Sequence, residues 1–328
     1  LRVKPSILVT GGAGYIGAHV AKALAAGGYL PVVYDNLGHG HREAVKWGPL
    51  IVAELEDRAA LRAALAAHDA KAVIHLAGVI EVGESVRDPA KYYRNNFSAA
   101  LGLLEEMDAL KVKAVVFSST AAVYGTPKTV PIPEDAPLAP INPYGESKLM
   151  VERALDWMGR ARGLGWMALR YFNAAGADPD GEIGEDHAPE SHLIPLACHA
   201  VLGRRPPLEI YGNDYPTPDG TAIRDYIHVG DLAAAHVRAL EHLLMGGESR
   251  ALNLGTGIGH SVAAVIRAVE AASGRKVPAR MSPRRPGDSQ ALVADPSAAK
   301  RVLGWAPSRP GLDEIVGSAW RWHVKRHG

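Results

Sequence analysis

A doubly wound α/β fold with a parallel, Rossmann-type sheet and a smaller C-terminal α/β unit is what this sequence predicts, and three observations carry it. Short apolar runs of strand length alternate with helical periods from residue 7 to residue 171. The first run, Ile7, Leu8, Val9 and Thr10, passes straight into Gly11-Gly12-Ala13-Gly14-Tyr15-Ile16-Gly17 and then into a helical stretch over 18–26. The second, Pro31-Val32-Val33-Tyr34-Asp35, ends on a carboxylate about 20 residues further on. Strand, glycine turn, helix, strand and acid come in the order a dinucleotide requires. The glycines let backbone N–H groups approach a pyrophosphate at the positive end of the helix, and Asp35 can accept hydrogen bonds from the adenosine ribose. A 2′-phosphate would be repelled by Asp35, so NAD is expected rather than NADP.

Composition narrows the class. At 328 residues, 47% hydrophobic and 22% charged, the chain reads as an ordinary globular protein of one large or two modest domains. A net charge of +1 supplies no general pull toward nucleic acid or membrane. The single cysteine, Cys198, cannot form an internal disulfide, and its apolar surroundings over 193–202 predict a buried thiol in a reducing compartment. No signal-peptide pattern and no bilayer-length apolar run is read, so the cytoplasm is the expected location.

Along the chain, Leu50-Ile51-Val52 predicts a third strand, 58–66 a helix, and Ala72-Val73-Ile74-His75 a fourth strand running into Leu76-Ala77-Gly78. His75 is read as packed in the sheet, with no catalytic role. A long helix is predicted over 89–107, carrying Tyr92, Tyr93, Asn95 and Asn96, of which Asn95 is the one expected to face a cofactor. Ala114-Val115-Val116-Phe117-Ser118 is the fifth strand. It ends in Ser118-Ser119-Thr120, at the carboxyl edge where open α/β sheets bind ligands. Six prolines between Thr126 and Pro143 make that segment a structured loop. It delivers the chain to Tyr144-Gly145-Glu146-Ser147-Lys148, where a phenol and an ammonium four residues apart share one face of a helix running to about 162. A neighbouring cation favours phenolate, so the pair is a proton-transfer device in prospect. A sixth strand over 167–171 leads into Phe172-Asn173, amphipathic helices are expected over 231–244 and 261–273, and Trp320 and Trp322 sit in a C-terminal helix. No repeat, low-complexity tract or metal-ligand cluster is read, the 14 histidines being scattered.

The glycine turn, Asp35, the strand end at Ser118 and Thr120 and the Tyr144/Lys148 pair together resemble the extended short-chain dehydrogenase/reductase family. Within it, His75-Leu76-Ala77-Gly78, Val82-Gly83-Glu84-Ser85, Tyr171-Phe172-Asn173, Gly212-Asn213-Asp214-Tyr215, Arg224-Asp225-Tyr226-Ile227-His228-Val229, Asn253-Leu254-Gly255 and Arg284-Arg285-Pro286-Gly287-Asp288 resemble the UDP-glucose 4-epimerases, in order and over nearly the whole chain. The resemblance implies an NAD-binding domain of residues 1–173 plus about 226–256, and a UDP-sugar domain of 174–225 plus about 257–328. It assigns to NAD the residues Gly11, Gly14, Tyr15, Ile16, Gly17, Asp35, Asn36, Leu37, Glu54, Leu55, Leu76, Ala77, Gly78, Asn95, Ser118, Tyr144, Lys148 and Phe172. To the sugar nucleotide it assigns Thr120, Asn173, His192, Leu193, Glu209, Ile210, Tyr211, Arg224, Arg285, Asp288 and Leu292. A diphosphate needs cations with forked donors, which supports the arginines independently.

The implied chemistry is 4-epimerisation of UDP-glucose and UDP-galactose through a transient 4-keto sugar, with tightly held NAD recycled in each turnover. Tyr144 would take the O4 proton, Lys148 would lower the tyrosine pKa and bond the nicotinamide ribose, and Thr120 would orient O4. Helices after Pro89 and Pro143 are those the family pairs into a homodimer. A UDP-xylose/UDP-arabinose 4-epimerase is the alternative. A dehydratase would need an acid pair where Thr120 is followed by Ala121-Ala122, a net dehydrogenase would accumulate NADH, and a non-catalytic regulatory module would have no use for Thr120, Tyr144 and Lys148 together. Three positions depart from the family pattern: Glu54 for an aspartate, Ile80 for a lysine against the cofactor, and Leu292 for the residue that gates the sugar's C2 substituent.

Overall fold

The computed structural model describes residues 4–285 and 288–328; Pro286 and Gly287, read above as part of the basic block, lie outside the described residues, as do residues 1–3. Six strands come first: β1 (Ser6–Thr10), β2 (Leu30–Asp35), β3 (Leu50–Val52), β4 (Ala72–His75), β5 (Ala114–Thr120) and β6 (Gly165–Tyr171). Three short strands follow, β7 (Asn173–Ala175), β8 (Leu208–Tyr211) and β9 (Ile223–His228), before β10 (Arg250–Leu254) returns to the first sheet. That sheet has seven strands in the order β10-β6-β5-β4-β1-β2-β3, every neighbouring pair parallel. Every residue of β1 and of β5 is buried, as expected of strands covered on both faces. The strand order reverses between β1 and β4, which opens a crevice at their carboxyl ends. Register brings Thr10 opposite both Tyr34 and His75, and Thr120 opposite Tyr171, so the residues that matter reach one edge together.

The helices form where the sequence supplies both a stripe and its ends. α1 (Tyr15–Ala26) buries Ala18, Val20, Ala21 and Leu24, and α2 (Arg58–Ala67) starts on Asp57, whose side chain accepts the Ala60 N–H. After α3 (Val82–Arg87), where a single helix over 89–107 is predicted, the structure has one turn α4 (Pro89–Tyr92), a π-turn over Tyr93–Ser98 and then α5 (Ala99–Ala109). The wide turn puts Asn95 and Asn96 against the same neighbouring loop, a result no 3.6-residue periodicity announces. α6 (Pro143–Arg162) has the most complete set of end signals. The Asn142 side chain accepts the Gly145 N–H at 2.8 Å, Pro143 opens the first turn, Arg160 and Arg162 sit in the last, and Gly163 ends it in the left-handed conformation at φ 67°. Its Val151 and Leu155 pack on Val115, Phe117 and Ala168 of the sheet.

The smaller unit is built around β9, which pairs with β7, with β11 (Gly259–Ser261) and with β13 (Ala291–Leu292); β8 pairs separately with β12 (Ala279–Ser282). Its core joins α7 (Leu193–Val201), α9 (Val262–Ser273) and α11 (Leu312–His327) through Ile194, Cys198, Val265, Val269, Ile315 and Val316. Cys198 is fully buried there, and burial pushes its thiol up to about 12. Two helices belong to the sheet instead. α8 (Val229–Leu244) lies on it as expected, but α10 (Ser297–Leu303), assigned above to the sugar unit, also does so: Ala299, Leu303 and Trp305 pack with Leu232, Leu252 and Leu254. The reason is an apolar face on α8 and β10 that would otherwise be left open, and Trp305 is pinned there by donating to the Asp231 carbonyl at 3.0 Å. Among the described residues no helix is long and apolar enough to cross a membrane.

Candidate active site

The glycine turn has no room for other residues. Gly11 has φ 71°, and a Cβ there would stand 2.6 Å from the Ala77 nitrogen; one on Gly17 would stand 2.1 Å from the Gly11 oxygen. The turn after β1 therefore lies directly on the turn after β4, with α1 close above it. No side chain caps α1 at Gly14, so the donors of its first turn, at Tyr15, Ile16 and Gly17, are left for an anion. The buried Asp35 carboxylate accepts N–H bonds from Ala13 at 2.9 Å and Leu37 at 2.8 Å, which fixes its orientation and leaves lone pairs for a diol. Glu54 is placed by Tyr34, whose hydroxyl donates to its carbonyl at 2.8 Å, and its carboxylate accepts from Asn36 at 2.9 Å, while Leu55 packs into the core. This cradle fits the adenosine half of NAD.

On the other side of the crevice stand Leu76, Ala77 and Gly78. Asn95, singled out in the sequence, accepts the Val79 N–H at 3.2 Å, but Asn96 is the buried one. Its amide takes the same N–H at 2.9 Å, donates to the Val79 carbonyl at 3.0 Å and reaches Ser147 on α6 at 3.2 Å. Asn96 was missed because adjacent asparagines cannot be ranked without knowing which way a π-turn rotates them. Ile80 is 40% exposed.

Thr120, Tyr144 and Lys148 meet at the end of β5. The Thr120 hydroxyl accepts the Ala122 N–H at 3.1 Å and faces the Tyr144 phenol, whose ring lies edge-on to Tyr92 at 6.5 Å between centroids. Burial raises the Tyr144 pKa above the usual phenol value, and the Thr120 hydroxyl pulls it partly back. Lys148 is buried, donates to the Ser118 carbonyl at 3.1 Å and lies 5.1 Å from the Phe117 ring centroid; burial lowers it to about 8. Four residues' spacing puts both on one helix face, yet the ammonium turns to the Ser118 carbonyl. The Ser118 hydroxyl is itself bonded to Tyr171.

Beneath this edge lies a polar network that sequence reasoning missed. Glu152 on α6 receives Arg170 at 2.5 and 3.0 Å and Ser119 at 2.5 Å; Arg170 also donates to the Tyr124 hydroxyl at 2.9 Å, which donates to Asn253 at 2.7 Å. All five residues are buried, so α6, β5, β6 and β10 are locked together under Thr120. Only the pairing of strands reveals it, because the partners are 18 to 129 residues apart in the chain.

The residues expected above to meet a sugar nucleotide lie mostly in the smaller unit. Arg224 on β9 forms an ion pair with Asp288, and the Arg285 guanidinium stacks 3.9 Å above the Tyr211 ring. Tyr211 donates to Glu209 at 2.7 Å, and Ile210 between them is buried. Leu292 pairs opposite Arg224 and packs, with Phe172, against the apolar cluster of Ala121, Val123, Tyr124, Ile132 and Leu149 that follows Thr120 in the chain and reaches α6. Asn173 opens β7 opposite Tyr226. His192 stands just before Leu193 at the start of α7, and its ring nitrogen is drawn 2.6 Å from Glu185. The histidines are not all scattered: His199, His323 and His327 form one group, and Glu185, His187, Glu190 and His192 another.

Residues 7–255 match the model of the NAD dependent epimerase/dehydratase family. The chain is 53% identical to the UDP-glucose 4-epimerase of Rhizobium leguminosarum bv. trifolii, with 98% of each chain covered. Its fold superposes on the UDP-glucose 4-epimerase of Brucella ovis in complex with NAD with a TM-score of 0.95, at 50% identity over 97% of this chain and 98% of that one. A UDP-glucose-4-epimerase from Stenotrophomonas maltophila, with bound NAD and formylated UDP-arabinopyranose, superposes with a TM-score of 0.94 at 40% identity over 98% of both chains.

Proposed function

Because the chain belongs to the NAD dependent epimerase/dehydratase family, we propose that it inverts C4 of a UDP-sugar, interconverting UDP-glucose and UDP-galactose through a transient 4-keto sugar. The observation that carries the reading is the meeting of Thr120 and Tyr144 at the carboxyl end of β5, beside the glycine cradle. A carbinol C4–H is not acidic, so inversion requires oxidation and then reduction on the opposite face. NAD, when bound, supplies the acceptor that returns the same hydride. Tyr144 takes the O4 proton as the C4–H electron pair leaves and the C4=O bond forms, and gives it back in reverse. Thr120 orients the phenol and O4. Lys148, anchored on the Ser118 carbonyl, keeps a cation between Gly78 and the tyrosine helix. The larger sheet with α8 and α10 holds NAD and the smaller unit holds the nucleotide, Arg224 and Arg285 meeting the diphosphate and Asp288 the ribose.

A panel of UDP-sugars with product identification tests this. UDP-glucose and UDP-galactose are expected to interconvert faster than the N-acetyl pair, since Leu292, packed against the cluster beside the Thr120 turn, is a bulky side chain that cannot hydrogen-bond an acetamide. Equal rates on UDP-N-acetylglucosamine would overturn that. A second reading, UDP-xylose/UDP-arabinose, is favoured by the arabinopyranose ligand of the Stenotrophomonas relative, and a pentose turning over fastest would select it.

The exposed Ile80 offers NAD no charged contact. We expect the chain to lose NAD on dilution more readily than a member with lysine there, and Ile80→Lys to retain more; unchanged retention sinks the idea. The protein is further proposed to be a cytoplasmic homodimer. Trp157 on α6, one of the two helices expected above to pair, is 68% exposed, a large apolar surface that such pairing would cover. Light scattering should give twice the chain mass, and Trp157→Arg should shift it toward the monomer.

A further inference from the structure

One partly buried cluster takes no part in the chemistry at C4, although its outermost member, His192, is the residue assigned above to the sugar nucleotide. Glu185, His187, Glu190 and His192 lie in the loop that enters α7, spaced E-x-H-x-x-E-x-H, and each brings one ligand atom to a point where all four are within 4.8 Å of one another. The His192 nitrogen is 2.6 Å from a Glu185 oxygen and 3.5 Å from Glu190; the His187 nitrogen is 3.3 Å from Glu185 and 3.6 Å from Glu190. The two carboxylate side chains are only 4% and 6% exposed. Yet Glu185 Oε1, Glu190 Oε2 and the Nδ1 atoms of both histidines are buried without a hydrogen-bond partner. They crowd together at ion-pair distance from one another.

Buried polar atoms are paired in native proteins, so four orphans at one point need a common partner. Zinc bonds to imidazole nitrogen and carboxylate oxygen are about 2.0–2.2 Å, which sets neighbouring donors of a tetrahedron about 3.3 Å apart. The four histidine–glutamate distances, 2.6 to 3.6 Å, lie around that spacing, and all four ligand atoms stand within 4.8 Å of one another. We propose that Glu185, His187, Glu190 and His192 form a closed N₂O₂ site for a divalent transition-metal ion, Zn²⁺. Four protein ligands leave no open position, so the ion is structural. It would fix the loop between β7 and α7 and with it the start of α7 at Leu193. The His187 ring also lies edge-on to Tyr15 at 6.2 Å, so the loop is tied to the first residue of α1 in the cofactor cradle. The rival is a cluster held by protons alone: burial lowers the His187 pKa, but Glu185 and Glu190 outweigh it and raise it to about 9.

Metal analysis separates the two, and does not depend on which sugar the enzyme accepts. Protein made without a polyhistidine tag and dialysed against metal-free buffer should keep about one zinc per chain, and Co²⁺ exchanged into it should show tetrahedral ligand-field bands. His187→Gln should lose metal and bands while keeping its far-ultraviolet circular dichroism. His327→Gln, in the neighbouring histidine group, should keep both. As a check on folding of the variants, wild-type protein stripped by chelator should gain melting temperature when Zn²⁺ is added, and stripped His187→Gln should not. No zinc and no Zn²⁺-dependent shift in the wild type overturns the proposal, as does equal zinc in wild type and His187→Gln, or loss in His327→Gln alone.

Discussion

Tyr144→Phe is expected to lose about 10² to 10⁴-fold in kcat, the range by which a positioned acid–base group accelerates a reaction, with little change in NAD content or thermal stability. The substitution removes only the phenol oxygen. The ring keeps its edge-on contact with Tyr92, and the Thr120 hydroxyl facing it still accepts from the Ala122 N–H. The effect should therefore appear in the chemical step, measured as the rate of C4 inversion at saturating UDP-sugar. Burial raises the free tyrosine's pKa, so little phenolate exists before the site is filled. Near-normal turnover of the variant on its best substrate would remove Tyr144 from the mechanism.

The largest effect on stability is expected at Glu152→Ala. Glu152 and Arg170 are 5% and 4% exposed, and their pairing raises the guanidinium pKa against the cost of burial. Removing one partner leaves a buried charge uncompensated, at a cost of about 3–5 kcal/mol of unfolding free energy. The exposed pair Arg160 and Asp156 on the same helix should be worth about 0–1 kcal/mol by comparison. Replacing both buried partners with apolar residues, Glu152→Leu with Arg170→Met, should cost less than Glu152→Ala alone, because no orphan charge remains. Denaturant melts read this directly, and a loss under about 1 kcal/mol for Glu152→Ala would show that solvent reaches the pair.

These two residues differ in how visible they are in the chain. Tyr144 and Lys148 announce themselves by spacing on a helix with clear start signals, whereas Glu152 and Arg170 look like any two charges on a helix and a strand. The same contrast runs through the site. Gly11 and Asp35 follow from local backbone order, because a glycine turn and a strand-end acid need only their immediate neighbours. Asn96 and the contact of Leu292 with the Thr120 turn do not, since the first depends on a π-turn and the second on β13 pairing with β9.

What the sequence determined by itself was whatever is encoded within a turn or two of chain: the alternation of strands and helices, the parallel sheet, the glycine cradle for NAD and the tyrosine–lysine helix. Tertiary structure alone decided where Lys148 sends its ammonium, why α10 packs on the larger sheet rather than in the smaller unit, and which of 14 histidines converge. Local patterns survive in one dimension because neighbouring residues share their hydrogen-bond ladder. Burial, orphaned donors and long-range pairings exist only after the chain has closed on itself, and the proposed metal site and the charged network under Thr120 are both made of those.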